Sequence, residues 1–260
     1  MRIEDFAFIY KGKLAQPLRQ EEAHYLLPVD HYVTQHQDRA LLLLHGFASS
    51  PGAYRAMLPH LTGYDRIVCP ILPGHAESIQ AFSNAKAQDW RETAQTVCSQ
   101  LIDTYKDVTV VGLSLGGILA LELSQMFRLH HLYLLAPALK LRYSLDLALL
   151  AARLLRAIGY PTFPNYGGDF YTHRHEELSY RRVPFNAIIE ILSLIKTSSY
   201  IRPNCPTDLF LGQHDKVVDS NYIAKTYAHQ DNISIHWLKH SAHILPLDGD
   251  IECLIKAISC

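Results

Sequence analysis

The sequence predicts an α/β fold in which a mostly parallel central sheet is covered by helices on both faces. Runs of strand length, apolar in residues 41–44 and β-branched in residues 108–111, alternate with stretches of helical periodicity. Apolar runs without polar alternation are typical of strands buried on both faces of a parallel sheet. The alternation breaks over residues 138–197, which predicts a small inserted helical cap. The core then comprises residues 1–137 and 198–260.

The composition of the chain excludes several classes of partner and site. Its 260 residues include 24 Lys and Arg against 25 Asp and Glu, and this near-zero net charge implies neither nucleic acid nor an acidic membrane surface as a partner. The cysteines are odd in number and lack C-x-x-C spacing: Cys69, Cys98, Cys205, Cys253 and Cys260. This pattern argues against a disulfide framework and a zinc site, and it favours a reducing compartment.

The sequence shows no targeting or membrane-spanning segment. Residues 1–5 carry acidic side chains where a signal peptide has a basic region. The longest apolar stretch, residues 145–155, contains Asp146 and Arg153 and is too short to cross a bilayer. We therefore expect a soluble, cytoplasmic protein with no integral membrane segment.

The order of the elements follows from apolar runs and helical spacing. Short apolar pieces at residues 6–10 and 25–29 are either edge strands or an N-terminal arm. Strands are predicted at residues 39–47, 64–72, 108–111, 131–136, 207–212 and 233–238. Helices are predicted at residues 49–61, 87–105, 118–127, 221–229 and 250–258. Within the cap, residues 145–158 and 185–195 have helical character.

The fold is organised around residues 108–127, which predict a strand, a sharp turn and a helix. The turn has the sequence Gly112-Leu113-Ser114-Leu115-Gly116. Glycines at its flanks allow the strand and the helix to pack closely, while the central residue is held in a strained conformation with its side chain exposed. This pattern is typical of a nucleophile elbow, and it makes Ser114 the candidate nucleophile.

A serine nucleophile needs a histidine base, and fifteen histidines are present. In enzymes with this elbow, the acid and the histidine follow the serine along the chain. His243 directly follows the last predicted strand, where a loop can bring it over the strand ends. His240 is the nearest rival but stands closer to the strand. We interpret His214, His229 and His236 as surface or loop residues.

The histidine in turn needs a carboxylate that fixes its tautomer. Asp215 directly follows the strand of residues 207–212, at the edge of a parallel sheet where catalytic groups collect. Asp219 and Asp208 are the alternatives. Asp208 begins the strand and therefore lies at the wrong end, and Asp219 is better placed to cap the next helix.

The oxyanion of the tetrahedral intermediate needs two backbone N–H donors. Leu115, which follows the nucleophile, is expected to supply one of them. The loop that begins with His45-Gly46-Phe47 is expected to supply the other through the N–H of Phe47, because Gly46 permits close approach. His45 is interpreted as a residue that shapes this loop.

Four motifs together resemble the α/β-hydrolase superfamily: residues 45–47, 112–117, 212–215 and 241–243. Within it, the chain is similar to small bacterial carboxylesterases and monoacylglycerol lipases. The resemblance implies a serine esterase that needs no cofactor or metal, with Ser114, Asp215 and His243 as the triad and Phe47 and Leu115 as the oxyanion donors. It also implies a short cap between the two halves of the sheet.

The expected substrate is a small-molecule carboxylic ester, and a lipid ester is one candidate. A monoacylglycerol lipase or a thioesterase is the main alternative, and a C–C bond hydrolase or a non-catalytic binding module is a further one. The apolar helix of residues 145–158 either lines an acyl pocket, touches a lipid surface or packs on the core. The sequence leaves these three roles of the helix open.

Overall fold

The computed structural model describes residues 2–198 and 201–259. Its strands are β1 (Phe6–Tyr10), β2 (Lys13–Pro17), β3 (Val29–Tyr32), β4 (Arg39–Leu44), β5 (Arg66–Cys69), β6 (Asp107–Leu113), β7 (His131–Leu135), β8 (Thr162–Pro164), β9 (Glu177–Tyr180), β10 (Arg182–Pro184), β11 (Thr207–Gly212) and β12 (Ile233–Leu238). Its α-helices are α1 (Ile79–Asn84), α2 (Ala87–Thr104), α3 (Leu115–Met126), α4 (Leu145–Ala157), α5 (Phe185–Thr197), α6 (Ser220–Tyr227) and α7 (Ile251–Ile258).

The central sheet has seven strands in the order β12-β11-β7-β6-β4-β5-β3. All neighbouring strands run parallel except the edge strand β3, which pairs antiparallel with β5. Residues 41–44 of β4 are fully buried, as a strand covered on both faces requires. Helices α2 and α3 pack against β4 and β6, and α6 packs against β11. The predicted α/β class with a mostly parallel sheet is confirmed.

The N-terminal strand β1 lies outside the central sheet. It pairs antiparallel with β2 and, on its other side, with β9, which belongs to the segment that we propose as the cap. The short strands β8 and β10 of the same segment form a second antiparallel pair. The N-terminal arm therefore connects the cap to the core through backbone hydrogen bonds.

The prediction of an α-helix over residues 49–61 is wrong. This region forms two 3₁₀ turns, Pro51–Tyr54 and Leu58–His60. Ser50 does cap the first turn, because its side chain accepts a hydrogen bond from the Gly52 N–H. The segment does not continue as an α-helix because Pro59 lacks the N–H that a helix interior needs. Gly52 also lies so close to the Tyr25 carbonyl that an added Cβ would be 2.8 Å from its oxygen.

The cap helices α4 and α5 pack against each other, and α5 also contacts α1 and α2. Helix α4 has two apolar faces. Ala148, Ala152 and Leu155 line a cavity beneath the helix. On the outer side, the stripe of Leu147, Leu150, Leu154 and Ile158 is between 55% and 70% exposed. The apolar stripe of α4, defined by these four residues, is therefore not used in packing against the core.

The described part of the chain contains free thiols at Cys69, Cys98, Cys205 and Cys253, the first three buried. Cys260 lies outside the described residues. None of the helices in residues 2–198 and 201–259 is both long enough and apolar enough to cross a membrane.

Candidate active site

Ser114 stands at the turn between β6 and α3 with φ of 53° and ψ of −109°. The φ value lies in the left-handed region, which costs a non-glycine residue about 1–3 kcal/mol and is tolerated where the surroundings impose it. Those surroundings are unusually tight. A Cβ on Gly112 would lie 2.3 Å from the Gly116 oxygen, and a Cβ on Gly116 would lie 2.0 Å from the Leu44 oxygen. Both positions therefore require glycine, and the predicted sharp turn is present.

Ser114, His243 and Asp215 form a continuous line of hydrogen bonds. The Ser114 Oγ is 3.0 Å from the His243 Nε2, and the His243 Nδ1 is 2.8 Å from the Asp215 Oδ2. A carboxylate only accepts, so Nδ1 carries the proton and Nε2 is free to accept from the serine hydroxyl. The structure thus brings together the three side chains that the sequence singles out, in the arrangement of nucleophile, base and orienting acid.

The Asp215 carboxylate is buried and held by its own loop. The backbone N–H groups of Val217 and Val218 both donate to its Oδ1, each at 2.8 Å. This leaves Oδ2 facing the imidazole. Two backbone donors and one histidine partner hold both oxygens of the carboxylate, so its orientation is fixed by the fold.

The electrostatic environment of His243 favours its protonated form. Burial by itself lowers the pKa of the imidazole, but the charge and hydrogen bond of Asp215 outweigh it. The carboxyl groups of Asp169 and Glu177 raise the pKa further, so that it lies above its ordinary value. A site with this field would stabilise an imidazolium at this position.

The alternative candidates for the base and the acid do not take part in these hydrogen bonds. Asp219 caps α6, where its side chain accepts from the Tyr222 N–H at 3.0 Å. Asp208 lies at the amino end of β11 and binds the rings of His131 and His236. His240 pairs with Asp250, and the ring of His214 stacks on Tyr171. His229 is exposed in the turn after α6. The geometry therefore favours Asp215 and His243 over each alternative.

The loop after β4 approaches the elbow closely. A Cβ on Gly46 would lie 3.6 Å from the Ser114 Cβ. Residues 46–49 form a turn in which the Ser49 N–H donates to the Gly46 carbonyl at 3.3 Å. Within residues 2–198 and 201–259, neither the Phe47 N–H nor the Leu115 N–H donates a hydrogen bond. Both amides are therefore available to a ligand atom.

His45 is fully buried and serves this loop. Its Nε2 accepts from the Leu72 N–H at 3.1 Å, and its Nδ1 donates to the Gly46 carbonyl at 2.9 Å. Burial lowers the pKa of His45 to about 4, so the ring is neutral near pH 7. These contacts fit the expectation that His45 shapes the loop.

A cavity of about 590 Å³ opens onto Ser114 and His243. Most of its lining is apolar and comes from the cap, including Leu155, Ile188, Ile191 and Ile195. A volume of this size is typical of small-molecule sites, which are mostly apolar with a few polar groups. The residues present suit an extended apolar ligand whose reacting end lies at the serine.

Two acidic residues in this cavity, Asp169 and Glu177, are not predicted from the sequence. Burial raises the pKa of both carboxyl groups. The Asp169 Oδ2 accepts from the Lys216 N–H at 2.8 Å, and the Glu177 Oε2 accepts from the Gly168 N–H at 2.6 Å. Asp169 lies in an irregular segment of the cap and Glu177 begins the short strand β9, and neither position is marked by strand alternation or by a motif. No signal in the sequence distinguishes them from surface acids.

Comparison by sequence places the chain among hydrolases. It matches the model of the Alpha/beta hydrolase family over residues 41–251. A thermostable monoacylglycerol lipase from Bacillus sp. (strain H-257) is 24% identical over 223 residues, which cover 83% of this chain and 87% of that protein. A carboxylesterase from Bacillus subtilis (strain 168) is 23% identical over 223 residues, covering 82% and 87%.

Comparison with solved structures finds chains that share this fold. The structure described for the metagenome-derived lipolytic enzymes LipS and LipT has a TM-score of 0.77 and 23% identity, and the match covers 89% of this chain and 95% of that chain. A monoacylglycerol lipase from Paleococcus ferrophilus has a TM-score of 0.69 and 15% identity, with 90% and 96% covered.

Proposed function

The chain belongs to the alpha/beta hydrolase family, and we propose that it is an esterase- or lipase-type hydrolase that cleaves carboxylic esters through an acyl-enzyme on Ser114. The observation that carries this proposal is the 3.0 Å contact between the Ser114 Oγ and a His243 whose other nitrogen is held by Asp215. A serine in this setting can be deprotonated as it attacks a carbonyl carbon.

The proposed reaction has two halves. In the first, the Ser114 Oγ attacks the ester carbonyl while His243 takes its proton, and the tetrahedral intermediate collapses as the imidazolium returns that proton to the leaving alcohol. In the second, His243 deprotonates a water that attacks the acyl-enzyme and then protonates Ser114 as the acid leaves. Asp215 stays ionised throughout and stabilises the imidazolium.

The oxyanion of each intermediate is proposed to bind the N–H groups of Phe47 and Leu115. This assignment is supported by the contact between Gly46 and Ser114, and by the availability of both amides. Donors that are already in place when charge develops act without reorganisation, which makes them effective in a buried site.

The proposed substrate is an ester with an extended apolar acyl chain, as in a monoacylglycerol. The apolar lining of the cavity supports such a chain, and the relatives include lipases. The exposed apolar stripe of α4 supports contact with a lipid surface, and the side chains of Arg153 and Arg156 are exposed on the same helix. A thioesterase would use the same serine chemistry, so we retain it as the second candidate.

The test compares substrates that share an acyl chain and differ in the bond cleaved. Purified protein and its Ser114→Ala variant are assayed on matched oxygen esters, thioesters and a vinylogous 1,5-diketone, each with short and long chains. We expect Ser114-dependent hydrolysis of oxygen esters, fastest with long chains. Faster thioester cleavage would favour the thioesterase, and cleavage of the diketone alone would indicate a C–C bond hydrolase. A folded protein that binds an ester without turnover would be a binding module.

A further inference from the structure

The turn that carries Phe47 contains a strained residue. Ala48 has φ of 57°, and its side chain is buried. It is the third residue of the turn closed by the Ser49 N–H on the Gly46 carbonyl. Glycine or asparagine usually occupies a turn position with positive φ, because other side chains meet the backbone there. Alanine gives this turn little intrinsic preference for its observed shape, so the shape depends on contacts from outside the loop.

Those contacts come from strand β9 of the cap. The Ser179 Oγ donates to the Ala48 carbonyl at 2.6 Å, and the Tyr180 N–H points to the same oxygen at 3.4 Å. The Ala48 carbonyl and the Ser49 N–H belong to one peptide plane. The cap therefore holds the same peptide whose N–H closes the turn, and that turn sets the direction of the Phe47 N–H.

The direction of the Ser179 hydroxyl is fixed by Asn165. The Asn165 Oδ1 accepts from the Gly167 N–H at 2.8 Å, which identifies the other side-chain atom as the amide nitrogen. That Nδ2 donates to the Ser179 Oγ at 2.8 Å and to the Tyr180 carbonyl at 2.7 Å. Because Ser179 accepts from Asn165, its own proton is directed to Ala48. Ser179 is 2% exposed, so this hydrogen bond is largely shielded from bulk water.

We propose that Ser179 is a positioning residue for the oxyanion loop, through which the cap sets the alignment of the Phe47 N–H. The inference rests on the proposed function, since it concerns the stabilisation of the same oxyanion. Ser179 itself does not touch the reacting atoms in this account. Its loss leaves Phe47 in place but removes the shorter of the two hydrogen bonds by which β9 holds the strained turn, so we expect transition-state binding to suffer more than substrate binding.

The test compares Ser179→Ala with Tyr180→Phe. Tyr180 is the next residue of β9, and its buried hydroxyl donates to the Gly74 carbonyl at 2.7 Å, which joins the cap to a core loop other than the oxyanion loop. Tyr180→Phe loses this bond and also the one that the Tyr180 hydroxyl accepts from the Glu77 N–H at 3.1 Å, but it keeps the Tyr180 N–H that faces Ala48. The control therefore loses at least as many hydrogen bonds between cap and core as Ser179→Ala does. Removal of a whole oxyanion donor lowers kcat by about 10²–10³-fold. We expect misalignment to lower kcat about 10–100-fold in Ser179→Ala, with KM nearly unchanged and with Tyr180→Phe close to the wild type.

A second measurement distinguishes misalignment of the Phe47 N–H from a general loss of packing between cap and core. A trifluoromethyl ketone forms a tetrahedral adduct with the serine and places an oxyanion in the hole, whereas the matching methyl ketone binds largely as the free ketone. We expect Ser179→Ala to weaken inhibition by the first compound by a factor similar to its loss in kcat, and to leave the second unchanged. If the alanine variant does not fold, Ser179→Cys serves instead, because a thiol keeps the shape but is a weak donor.

Equal losses of kcat in Ser179→Ala and Tyr180→Phe would overturn the inference, as would equal weakening of both ketones. A wild-type kcat in Ser179→Ala would also overturn the inference. The proposed function would still stand in that case if Ser114→Ala were inactive. An inactive but folded wild-type protein would overturn both.

Discussion

Ser114 and His243 lie 129 residues apart in the chain, yet their reacting atoms are 3.0 Å apart. Asp215 is what makes this contact directional, since it binds the far nitrogen of the ring. Chain order and position after a strand were sufficient to select His243 and Asp215 from the other histidines and acids of the sequence. At the scale of single residues, the candidate site was therefore largely predictable, apart from the two acids that the cap contributes.

The role of the acid can be tested with two matched substitutions. We expect Asp215→Asn to lower kcat by about 10⁴-fold, because an amide favours the wrong tautomer of the histidine. Asp219→Asn changes the same residue type four positions away but keeps an effective N-cap, so we expect wild-type activity and stability. Steady-state kinetics and thermal unfolding measure both effects. Equal losses in the two variants would contradict the assignment of Asp215.

The acids of the cap affect the pH dependence of the reaction. His243 acts as a base only when neutral, and its pKa is raised, so activity falls as the pH drops through that raised value. Asp169→Asn and Glu177→Gln each remove a negative charge that favours the imidazolium. We expect the acidic limb of the kcat/KM profile to move to lower pH in both variants.

The control for this profile is Asp219→Asn, which removes a charge that is not among the main causes of the His243 pKa shift. Its acidic limb should coincide with that of the wild type. An unchanged limb in both Asp169→Asn and Glu177→Gln would show that these acids do not act on His243.

At the scale of elements, predictions succeeded where one physical cause dominated. Strands β4 and β6 consist mostly of apolar residues, and burial on both faces explains residues 40–44 and 108–113. The prediction failed at residues 49–61, where helical spacing of apolar side chains competed with Gly52 and Pro59. The spacing of apolar residues alone could not reveal that position 52 needs glycine, because a side chain there would collide with the Tyr25 carbonyl.

Helix α4 yields a prediction about lipid surfaces. Burial of a leucine side chain contributes about 1.5–3 kcal/mol, so a double variant Leu150→Asp and Leu154→Asp should lose at least about tenfold in vesicle binding. We expect slower hydrolysis of long-chain esters in phosphatidylcholine vesicles and an unchanged rate on dissolved short-chain esters.

The control for this surface is Met126→Asp, at the end of α3, where the native side chain is also 55% exposed. It should leave vesicle binding unchanged. Equal binding by the wild type and the double variant would contradict contact between the apolar stripe of α4 and lipid.

At the scale of the whole molecule, the least predictable feature is the connection between the N-terminal arm and the cap. Strand β1 pairs with β9, and Ala7 is opposite Ser179. Both strands are short, and the partner lies far along the chain, so local pattern carries no information about this pairing. The same difficulty applies to Asp169 and Glu177, whose place in the site depends on how the cap folds over the core.

This connection predicts cooperative unfolding of cap and core. Leu149, Tyr180 and Ile191 of the cap belong to the same buried cluster as the strands of the central sheet. We expect hydrogen exchange, followed by mass spectrometry at increasing urea concentration, to show one midpoint for cap and sheet peptides. A cap that exchanges freely while the sheet stays protected would contradict a shared core.

Labelling with a fluorophosphonate tests most directly whether Ser114 is an activated nucleophile, and peptide mass spectrometry locates the adduct. We expect a covalent adduct on Ser114 that is absent in Ser114→Ala and forms much more slowly in His243→Ala, because the imidazole activates the hydroxyl. The absence of an adduct in folded wild-type protein, or its attachment to another residue, would contradict an activated serine at the elbow.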